Sequence, residues 1–236
     1  METENIVIPP KVSIIMSVYN REFNIVKRAM DSVLAQEFKD FRLIVVDDGS
    51  NSILGKSILD YTIKNESKLT YIRHKNQGQA RSVNKAIRIS RSPLIGFIDS
   101  DDEYKPTHIM ACLRQINRDC DLICSITETK VNNPNDYFVP DKNNLNCDIH
   151  IDDCITFGTL FGKREVFLNI GFKNIYSSDS DFYERASKVY KTKKLNLKTY
   201  IYYLGGTDSI TTEKKQNRTA SWLHTAKIHS LRSRLD

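Results

Sequence analysis

The chain has 236 residues and a mass of 27.2 kDa, with 40% hydrophobic and 27% charged residues, enough for one large α/β domain or two small ones. No run of about 18 apolar residues is present, so we expect no membrane-spanning helix, and the acidic start Met1-Glu2-Thr3-Glu4 is not that of a signal peptide. The net charge is +6, and residues 211–236 contain six basic against two acidic residues, which leaves +2 for the rest. A nearly neutral body with a basic tail is not typical of a protein that coats nucleic acid.

The first hundred residues alternate between strand and helix patterns. Apolar, β-branched runs bounded by polar residues predict four strands, at 12–18, 41–46, 69–72 and 94–98. Apolar side chains at helical spacing predict helices between them, over 22–37, around 53–61 and over 79–90, and Pro106 suits the first turn of a further helix. This β-α-β-α order predicts an α/β fold with a mostly parallel central sheet and helices on both faces.

The second half of the chain is less regular. The Asn- and Asp-rich stretch 132–148 is typical of a mobile loop. Because neither a repeat nor a linker divides the chain, we predict a single domain over residues 1–210, followed by the basic tail 211–236. Within the second half, apolar patterns predict strands and helices, the strands at 121–126, 156–161 and 195–204 and the helices at 165–170 and 181–190.

Motifs that the sequence lacks disfavour several classes of protein. Its nine glycines form neither the G-x-G-x-x-G of dinucleotide-binding enzymes nor the phosphate-binding G-x-x-x-x-G-K-[ST]. No serine stands in the G-x-S-x-G of α/β-hydrolases. The five cysteines form no C-x-x-C pair and their number is odd, so we expect reduced, buried thiols in a cytoplasmic protein.

Three carboxylates in four residues, Asp99-Ser100-Asp101-Asp102, follow the fourth predicted strand. Carboxylates this close repel one another unless a cation or several hydrogen-bond donors offset their charge. Oxygen ligands of this kind suit Mg²⁺ or Mn²⁺. The same residues are also common in a solvated turn that caps a helix, so the cluster alone leaves both interpretations open.

Two further polar clusters lie at the ends of predicted elements. Asp47-Asp48-Gly49-Ser50 follows the second strand, where a carboxylate can accept from a base or a ribose, although a plain type I turn has the same composition. Asn76-Gln-Gly-Gln-Ala-Arg81 begins a helix, where N–H groups and an arginine can approach a diphosphate or simply cap the helix. Since ligands bind at the carboxyl ends of parallel strands, we expect the Asp47 and Asp99 clusters to share one crevice.

Taken together, five segments closely resemble the family 2 glycosyltransferases, which have a GT-A fold. They are Lys11-Val-Ser-Ile-Ile-Met-Ser-Val-Tyr-Asn20, Ser32-Val-Leu-Ala-Gln-Glu-Phe38, Val46-Asp-Asp-Gly-Ser50, Asn76-Gln-Gly78 with Ala80-Arg81, and Phe97-Ile-Asp-Ser-Asp-Asp102. The resemblance is dense over residues 11–110 and thinner to about residue 211. It implies an inverting enzyme that uses nucleotide-diphosphate sugars, often UDP-sugars, and Mn²⁺ or Mg²⁺. The nucleotide-sugar half would lie at about 11–105 and the acceptor half at about 106–210.

The resemblance implies donor-binding roles for residues in the first half. Ser17 and Tyr19 would hold the uracil, on which the Tyr19 ring can stack. Asp48 would bind the base with Asp47 beside it. Arg81 would lie near the base and the phosphates.

Asp99-Ser100-Asp101 matches the DXD motif of the family. The resemblance makes Asp101 the direct metal ligand and places Asp99 near the ribose and the metal. Ser100 would contact the nucleotide, and Asp102 would be a supporting residue. Many relatives also carry a histidine that reaches the metal or the diphosphate, and Gly206 stands at that position here.

A further family element supplies a candidate base. Ser178-Asp-Ser-Asp-Phe-Tyr-Glu-Arg185 matches Glu-Asp-x-Asp-[Leu/Phe]-x-x-Arg, except that Ser178 replaces the glutamate. The resemblance makes Asp179 the general base that takes the proton of the acceptor hydroxyl, with Asp181 as a supporting residue and alternative base. From the residues alone, Asp179 is also suited to capping the helix at 181–190.

The implied partners are a UDP-sugar donor and a glycan or lipid-linked glycan acceptor, without nucleic acid. One alternative is a nucleotide-sugar-binding protein impaired in turnover, because Ser178 and Gly206 depart from the family pattern. Another is a sugar-nucleotide pyrophosphorylase, which Tyr19-Asn20-Arg21-Glu22 disfavours because a glycine-rich basic loop is expected there. The spacing of apolar residues in the tail predicts a modestly amphipathic helix from about Thr219. This helix either packs on the domain or contacts the inner face of a membrane peripherally.

Overall fold

The structure, a computed structural model, describes residues 8–204. The described part of the larger of two compact units runs to Glu128 and resumes over Ile155–Tyr202. The smaller unit contains Thr129–Cys154 together with Tyr203 and Leu204. Gly206 and the basic tail lie outside the described residues, and the single domain over 1–210 stays a prediction. No helix within residues 8–204 is both long and apolar enough to cross a bilayer.

The secondary structure alternates in the first half as predicted. The strands are β1 Val12–Val18, β2 Phe41–Asp47, β3 Leu69–Arg73, β4 Leu94–Phe97, β5 Glu103–Tyr104, β6 Leu122–Ser125, β7 Glu128–Val131, β8 Phe138–Asp141, β9 Asn144–His150, β10 Phe161–Lys163, β11 Thr192–Leu195 and β12 Tyr200–Leu204. The α-helices are α1 Phe23–Leu34, α2 Ser52–Lys64, α3 Gln79–Ile89, α4 His108–Leu113, α5 Arg164–Ile170 and α6 Ser178–Ser187.

A seven-stranded sheet forms the centre of the larger unit, in the order β11-β6-β10-β4-β1-β2-β3. Strand β10 is antiparallel to both of its neighbours, and the other pairs are parallel. Val18 at the end of β1 pairs with Asp47 at the end of β2, and Ile15 pairs with Phe97 at the end of β4. The carboxyl ends of β1, β2 and β4 therefore meet at one edge, which confirms the predicted mostly parallel α/β architecture.

Helices cover both faces of this sheet. Alternate residues of β1 point to opposite faces, so that Ile14 packs in one buried cluster with residues of α1 and α2, whereas Ile15 packs in another with α3, α5 and α6. On α1, buried Val26, Met30 and Val33 recur at helical spacing and give the helix its apolar face. The core is thus a helix–sheet–helix sandwich whose β1, β2 and β4 are almost wholly buried.

The second half differs from the sequence prediction in four places. Residues 132–148 are not a loop, because β8 and β9 pair as an antiparallel hairpin in which Phe138 lies opposite His150. Pairing between strands overrides the turn-forming preference of Asn and Asp. Residues 157–159 form a 3₁₀ turn before β10 rather than a strand. The last predicted strand begins only at Tyr200, and α6 begins at Ser178, three residues before the predicted start.

Candidate active site

The loop after β4 carries three carboxylates, and a tyrosine of β12 fixes its ends. The Tyr200 hydroxyl donates to Asp102 Oδ2 over 2.7 Å and accepts from the backbone N–H of Asp99 over 3.2 Å. Asp102 and Tyr200 are fully buried, whereas Asp99 and Asp101 are partly exposed. The loop therefore turns Asp102 inward as an anchor and leaves Asp99 and Asp101 accessible.

Tyr200→Phe tests this anchor. The substitution removes a donor from a buried carboxylate, so we expect the free energy of unfolding to fall by about 1–3 kcal/mol, measured by urea denaturation. Tyr19→Phe is the matched control, because it removes the hydroxyl of a ring that is 53% exposed and should change that free energy by less than about 0.5 kcal/mol. Equal unfolding free energies for Tyr200→Phe and the wild-type protein would contradict the anchor role.

Two arginines hold Asp101, Arg21 from the segment that follows β1 and Arg28 from α1. Arg21 Nη2 lies 3.0 Å from Asp101 Oδ2. Arg28 Nη2 donates to the Asp101 backbone carbonyl over 2.6 Å, and Arg28 Nε lies 3.1 Å from Glu103 Oε1. The carboxylate and the backbone of Asp101 are thus bound by different guanidinium groups.

Asp48 holds the loop that leads into α3. Its two oxygens accept from the backbone N–H groups of Gln77 and Gly78, each over 2.8 Å. Gly78 has a φ of 89°, in the left-handed region that favours glycine. These bonds use only part of the acceptor capacity of a carboxylate, so Asp48 retains lone pairs for a ligand.

Asp47 is fully buried and shapes the turn after β2. Its Oδ1 accepts from the backbone N–H of Ser50 over 2.8 Å, and its Oδ2 accepts from the Tyr71 hydroxyl over 2.7 Å. Arg73 Nη1 lies 3.6 Å from the same Oδ2. These bonds fix the turn after β2, and the contact between Asp47 and a nucleotide stays a prediction.

The other predicted donor residues lie on the same strand ends and on the first turn of α3. Ser17, near the end of β1, is partly exposed, and Tyr19 follows β1 directly. Arg81 is exposed in the first turn of α3, and Ser100 is partly exposed between the two accessible carboxylates. Their contacts with a nucleotide stay predictions.

Asp179 is the second residue of α6, which begins after the N-cap Ser177, whose φ is 53°. Its Oδ1 accepts from the backbone N–H of Ser180 over 2.8 Å. Burial raises the pKa of Asp179 to about 6, although backbone N–H donors partly oppose the rise. Asp179 is therefore not the N-cap of α6, which is Ser177, but it accepts a hydrogen bond from an N–H of the first turn and has an elevated proton affinity.

Asp99, Asp101 and Asp179 lie in one electrostatic neighbourhood. Burial raises the pKa of Asp99 to about 7, and the negative charges of Asp101 and Asp179 add to the rise, whereas a hydrogen bond from Gln79 and the charge of Arg21 oppose it. Gln79 Nε2 donates to Asp99 Oδ1 over 3.0 Å. Within the larger unit, the carboxylates of Asp99 and Asp101 after β4 and that of Asp179 on α6 are thus close enough to affect one another electrostatically.

Asp181 has a different environment from Asp179. Arg185 Nε donates to Asp181 Oδ2 over 2.8 Å, and Lys173 Nζ lies 3.5 Å from Oδ1. Partial burial alone would raise the pKa of Asp181, but the Arg185 hydrogen bond and charge hold it below its ordinary value. A carboxylate paired in this way is a poor proton acceptor at neutral pH, so Asp181 fits the supporting role better than that of the base.

A sequence model of the family described as "Glycosyl transferase family 2" matches residues 13–180, which is most of the chain. The chain belongs to glycosyl transferase family 2. The chondroitin synthase of Escherichia coli is 30% identical to it over 205 residues, which cover 84% of this chain and 29% of that protein. This family 2 chain therefore spans less than a third of the length of that relative.

Solved structures confirm the GT-A fold predicted for this family 2 chain. The mannosyltransferase PcManGT from Pyrobaculum calidifontis, in complex with GDP-Man and Mn²⁺, has a TM-score of 0.65 at 15% identity, over 82% of this chain and 57% of that one. Residues 1-349 of S. aureus TarS, in complex with UDP-GlcNAc, have a TM-score of 0.64 at 19% identity, over 86% of this chain and 60% of that one. At these identities the likeness shows the fold alone.

The carboxylates after β4 fit a divalent cation that substrate phosphates help to hold. Within the part of the chain that the structure describes, no group of three or more His, Cys, Asp or Glu side chains is placed to bind a metal ion. Mg²⁺, however, is usually bound through one or two carboxylates together with phosphates, and Asp99 and Asp101 supply such oxygens. A dication would also relieve the repulsion that Asp99 experiences from Asp101 and Asp179.

Sequence reasoning missed several residues of this family 2 site. Tyr200 comes from a strand about a hundred residues after the acidic loop, and its alternating pattern indicates a strand but no partner. Tyr202 lies two residues further on β12, and burial together with the charges of the surrounding aspartates raises its pKa well above the ordinary value. Arg21 follows the first predicted strand, but nothing in the sequence indicates that it contacts Asp101. The structure alone brings these side chains to the carboxylates.

Proposed function

We propose that this chain is an inverting glycosyltransferase that moves a sugar from a UDP-sugar to a hydroxyl of a glycan or lipid-linked glycan. The observation that carries the proposal is the neighbourhood of Asp99, Asp101 and Asp179 at the carboxyl ends of the parallel strands. A transferase of this kind needs carboxylates both for the diphosphate-bound cation and for the acceptor proton. The chondroitin synthase relative supports a glycan acceptor, and the UDP-GlcNAc complex of TarS supports a UDP-sugar donor.

The donor would bind over the ends of β1 and β2. The Tyr19 ring is exposed enough to stack on a uracil, with Ser17 beside it. Asp48 would accept from the base, since the Gln77 and Gly78 amides fix its orientation without using all its lone pairs. Arg81, exposed on the first turn of α3, would lie near the phosphates.

Asp101 and Asp99 would hold Mn²⁺ or Mg²⁺ together with the diphosphate oxygens. When bound, such a cation neutralises charge that develops on the departing diphosphate, so that no protein general acid is required. The Mn²⁺ complex of PcManGT supports metal dependence. Asp102 would keep the loop in place through Tyr200.

Asp179 would act as the general base. The acceptor hydroxyl oxygen attacks the anomeric carbon from the face opposite the diphosphate and forms the new C–O bond. The bond from the anomeric carbon to the β-phosphate oxygen breaks, and its electron pair stays on the UDP leaving group. The hydroxyl proton passes to the Asp179 carboxylate, whose pKa of about 6 lies close enough to neutrality to make it an effective acceptor.

The pH dependence of transfer follows from this assignment. Because a protonated Asp179 cannot accept a proton, the rate at saturating donor and Mn²⁺ should be nearly constant well above pH 6. It should fall about tenfold per pH unit well below the pKa. Initial rates of UDP release between about pH 4 and about pH 8 give the profile. A rate that stays level down to about pH 4 would contradict a base of this pKa.

A screen of UDP-sugars tests the proposed function. We expect UDP release from at least one donor, with Mn²⁺ or Mg²⁺ required and EDTA abolishing the release. GDP-mannose, which carries guanine in place of uracil, serves as the control for recognition of the nucleobase. Binding of UDP without cleavage of any donor would favour a nucleotide-sugar-binding protein that lacks turnover.

A further inference from the structure

We propose that Arg21 is a diphosphate-binding residue whose ion pair with Asp101 exchanges when the donor binds. Arg21 would pass from the Asp101 carboxylate to the diphosphate, and Asp101 would pass from Arg21 to the divalent cation. The inference rests on the proposed function for the identity of the anion. It assigns a role to a residue that neither the DXD motif nor the candidate base includes.

The position of Arg21 is built into the turn after β1. Asn20 has a φ of 45°, and its backbone N–H donates to Ser50 Oγ over 3.0 Å. Asn20 Oδ1 accepts from the backbone N–H of Asn51 over 2.8 Å. These bonds tie the left-handed turn to the segment after β2, so Arg21 leaves the end of β1 in a fixed direction, toward Asp101.

Arg21 and Arg28 hold Asp101 in different ways. Arg28 binds the backbone carbonyl of Asp101 and lies beside Glu103, so it fixes the loop and leaves the Asp101 carboxylate available. Arg21 binds that carboxylate itself. A cation that takes Asp101 as a ligand must therefore compete with Arg21, whereas the Arg28 contacts can persist.

The Arg21–Asp101 pair is suited to exchange. The side chains are 27% and 35% exposed, and an ion pair at such a partly solvated position adds little stability. A guanidinium can bind phosphate oxygens through two parallel hydrogen bonds, as it can bind a carboxylate.

Two binding measurements on Arg21→Gln, neither of which needs turnover, test the proposal. Mn²⁺ alone, titrated by electron paramagnetic resonance, should bind about three- to tenfold more tightly to Arg21→Gln than to the wild type, because Asp101 has lost its competitor. UDP alone, titrated calorimetrically in EDTA, should bind about three- to tenfold more weakly, because a phosphate partner is gone. Arg21→Lys keeps the positive charge but lacks the paired N–H donors of a guanidinium. Its affinities for Mn²⁺ and for UDP should therefore lie between those of the wild type and Arg21→Gln.

Lys27→Gln is the matched control, because Lys27 pairs with Asp31 on α1 and not with the acidic loop. It should leave both affinities at the wild-type values. Unchanged or jointly weakened affinities in Arg21→Gln would overturn the proposal, as would tighter Mn²⁺ binding without weaker UDP binding. If the wild type cleaves no donor while Arg21→Gln shows the two opposite shifts, the transferase assignment fails and the role of Arg21 stands. If the wild type cleaves a donor while neither affinity shifts in Arg21→Gln, the transferase assignment stands and the role of Arg21 fails.

Discussion

Asp101→Ala is expected to abolish cleavage of every donor that the wild-type protein hydrolyses, a loss of at least about a hundredfold in kcat. Asp101 is accessible on the loop after β4, and its backbone is fixed by Arg28. Alanine removes the carboxylate oxygen proposed to hold the cation, so charge on the departing diphosphate is no longer offset. Release of UDP from the donor identified in the screen, at saturating Mn²⁺, measures the effect.

The matched control for Asp101→Ala is Asp60→Ala, on the exposed face of α2, where the carboxylate pairs with Lys56. This variant should retain the wild-type rate. A thermal unfolding curve separates loss of function from loss of fold, since Asp101 is not part of the core. Wild-type cleavage by a folded Asp101→Ala protein would remove this residue from the proposed cation site.

Asp179→Asn is expected to abolish transfer to the acceptor, by at least about a hundredfold, while UDP binding stays within about twofold of the wild type. The amide is almost isosteric with the carboxylate, and its oxygen can still accept from Ser180, so the first turn of α6 is preserved. It cannot take a proton. Initial transfer rates measure the loss of activity, and calorimetric titration with UDP measures the binding affinity.

Asp181→Asn separates the two candidate bases. This carboxylate is paired with Arg185 and Lys173, so we expect its loss to reduce transfer far less than Asp179→Asn does. If Asp181→Asn abolishes transfer and Asp179→Asn does not, the base assignment passes to Asp181. Full transfer activity in both variants would exclude either residue as the base.

The joining of the acidic clusters was predictable because it follows from topology. Buried, apolar runs that alternate with helices are typical of interior strands of a parallel sheet, whose carboxyl ends meet. The structure confirms this prediction, since Asp48 N–H donates to Val18 O and β4 lies beside β1. The segments that carry the family resemblance are also these strand ends, so local pattern and fold agree.

The supports of the site were not predictable, since they depend on contacts between distant segments. The hydroxyl of Tyr200 reaches Asp102 across 98 positions of the chain, and Arg21 reaches Asp101 from the segment after β1. Neither contact leaves a periodic signal in one sequence. The same limit applies to the β8–β9 hairpin, where Asn- and Asp-rich composition concealed strands that are specified by their pairing.

The anomeric configuration of the product shows whether the chain is an inverting transferase. The chain, Mn²⁺, the donor found in the screen and a glycan acceptor are incubated, and the new linkage is assigned by the proton coupling constant at the anomeric carbon. We expect one UDP released per linkage formed and a configuration opposite to that of the donor, with no linkage formed by Asp179→Asn. A product that retains the donor configuration, or linkage formation that persists in Asp179→Asn, would contradict this expectation.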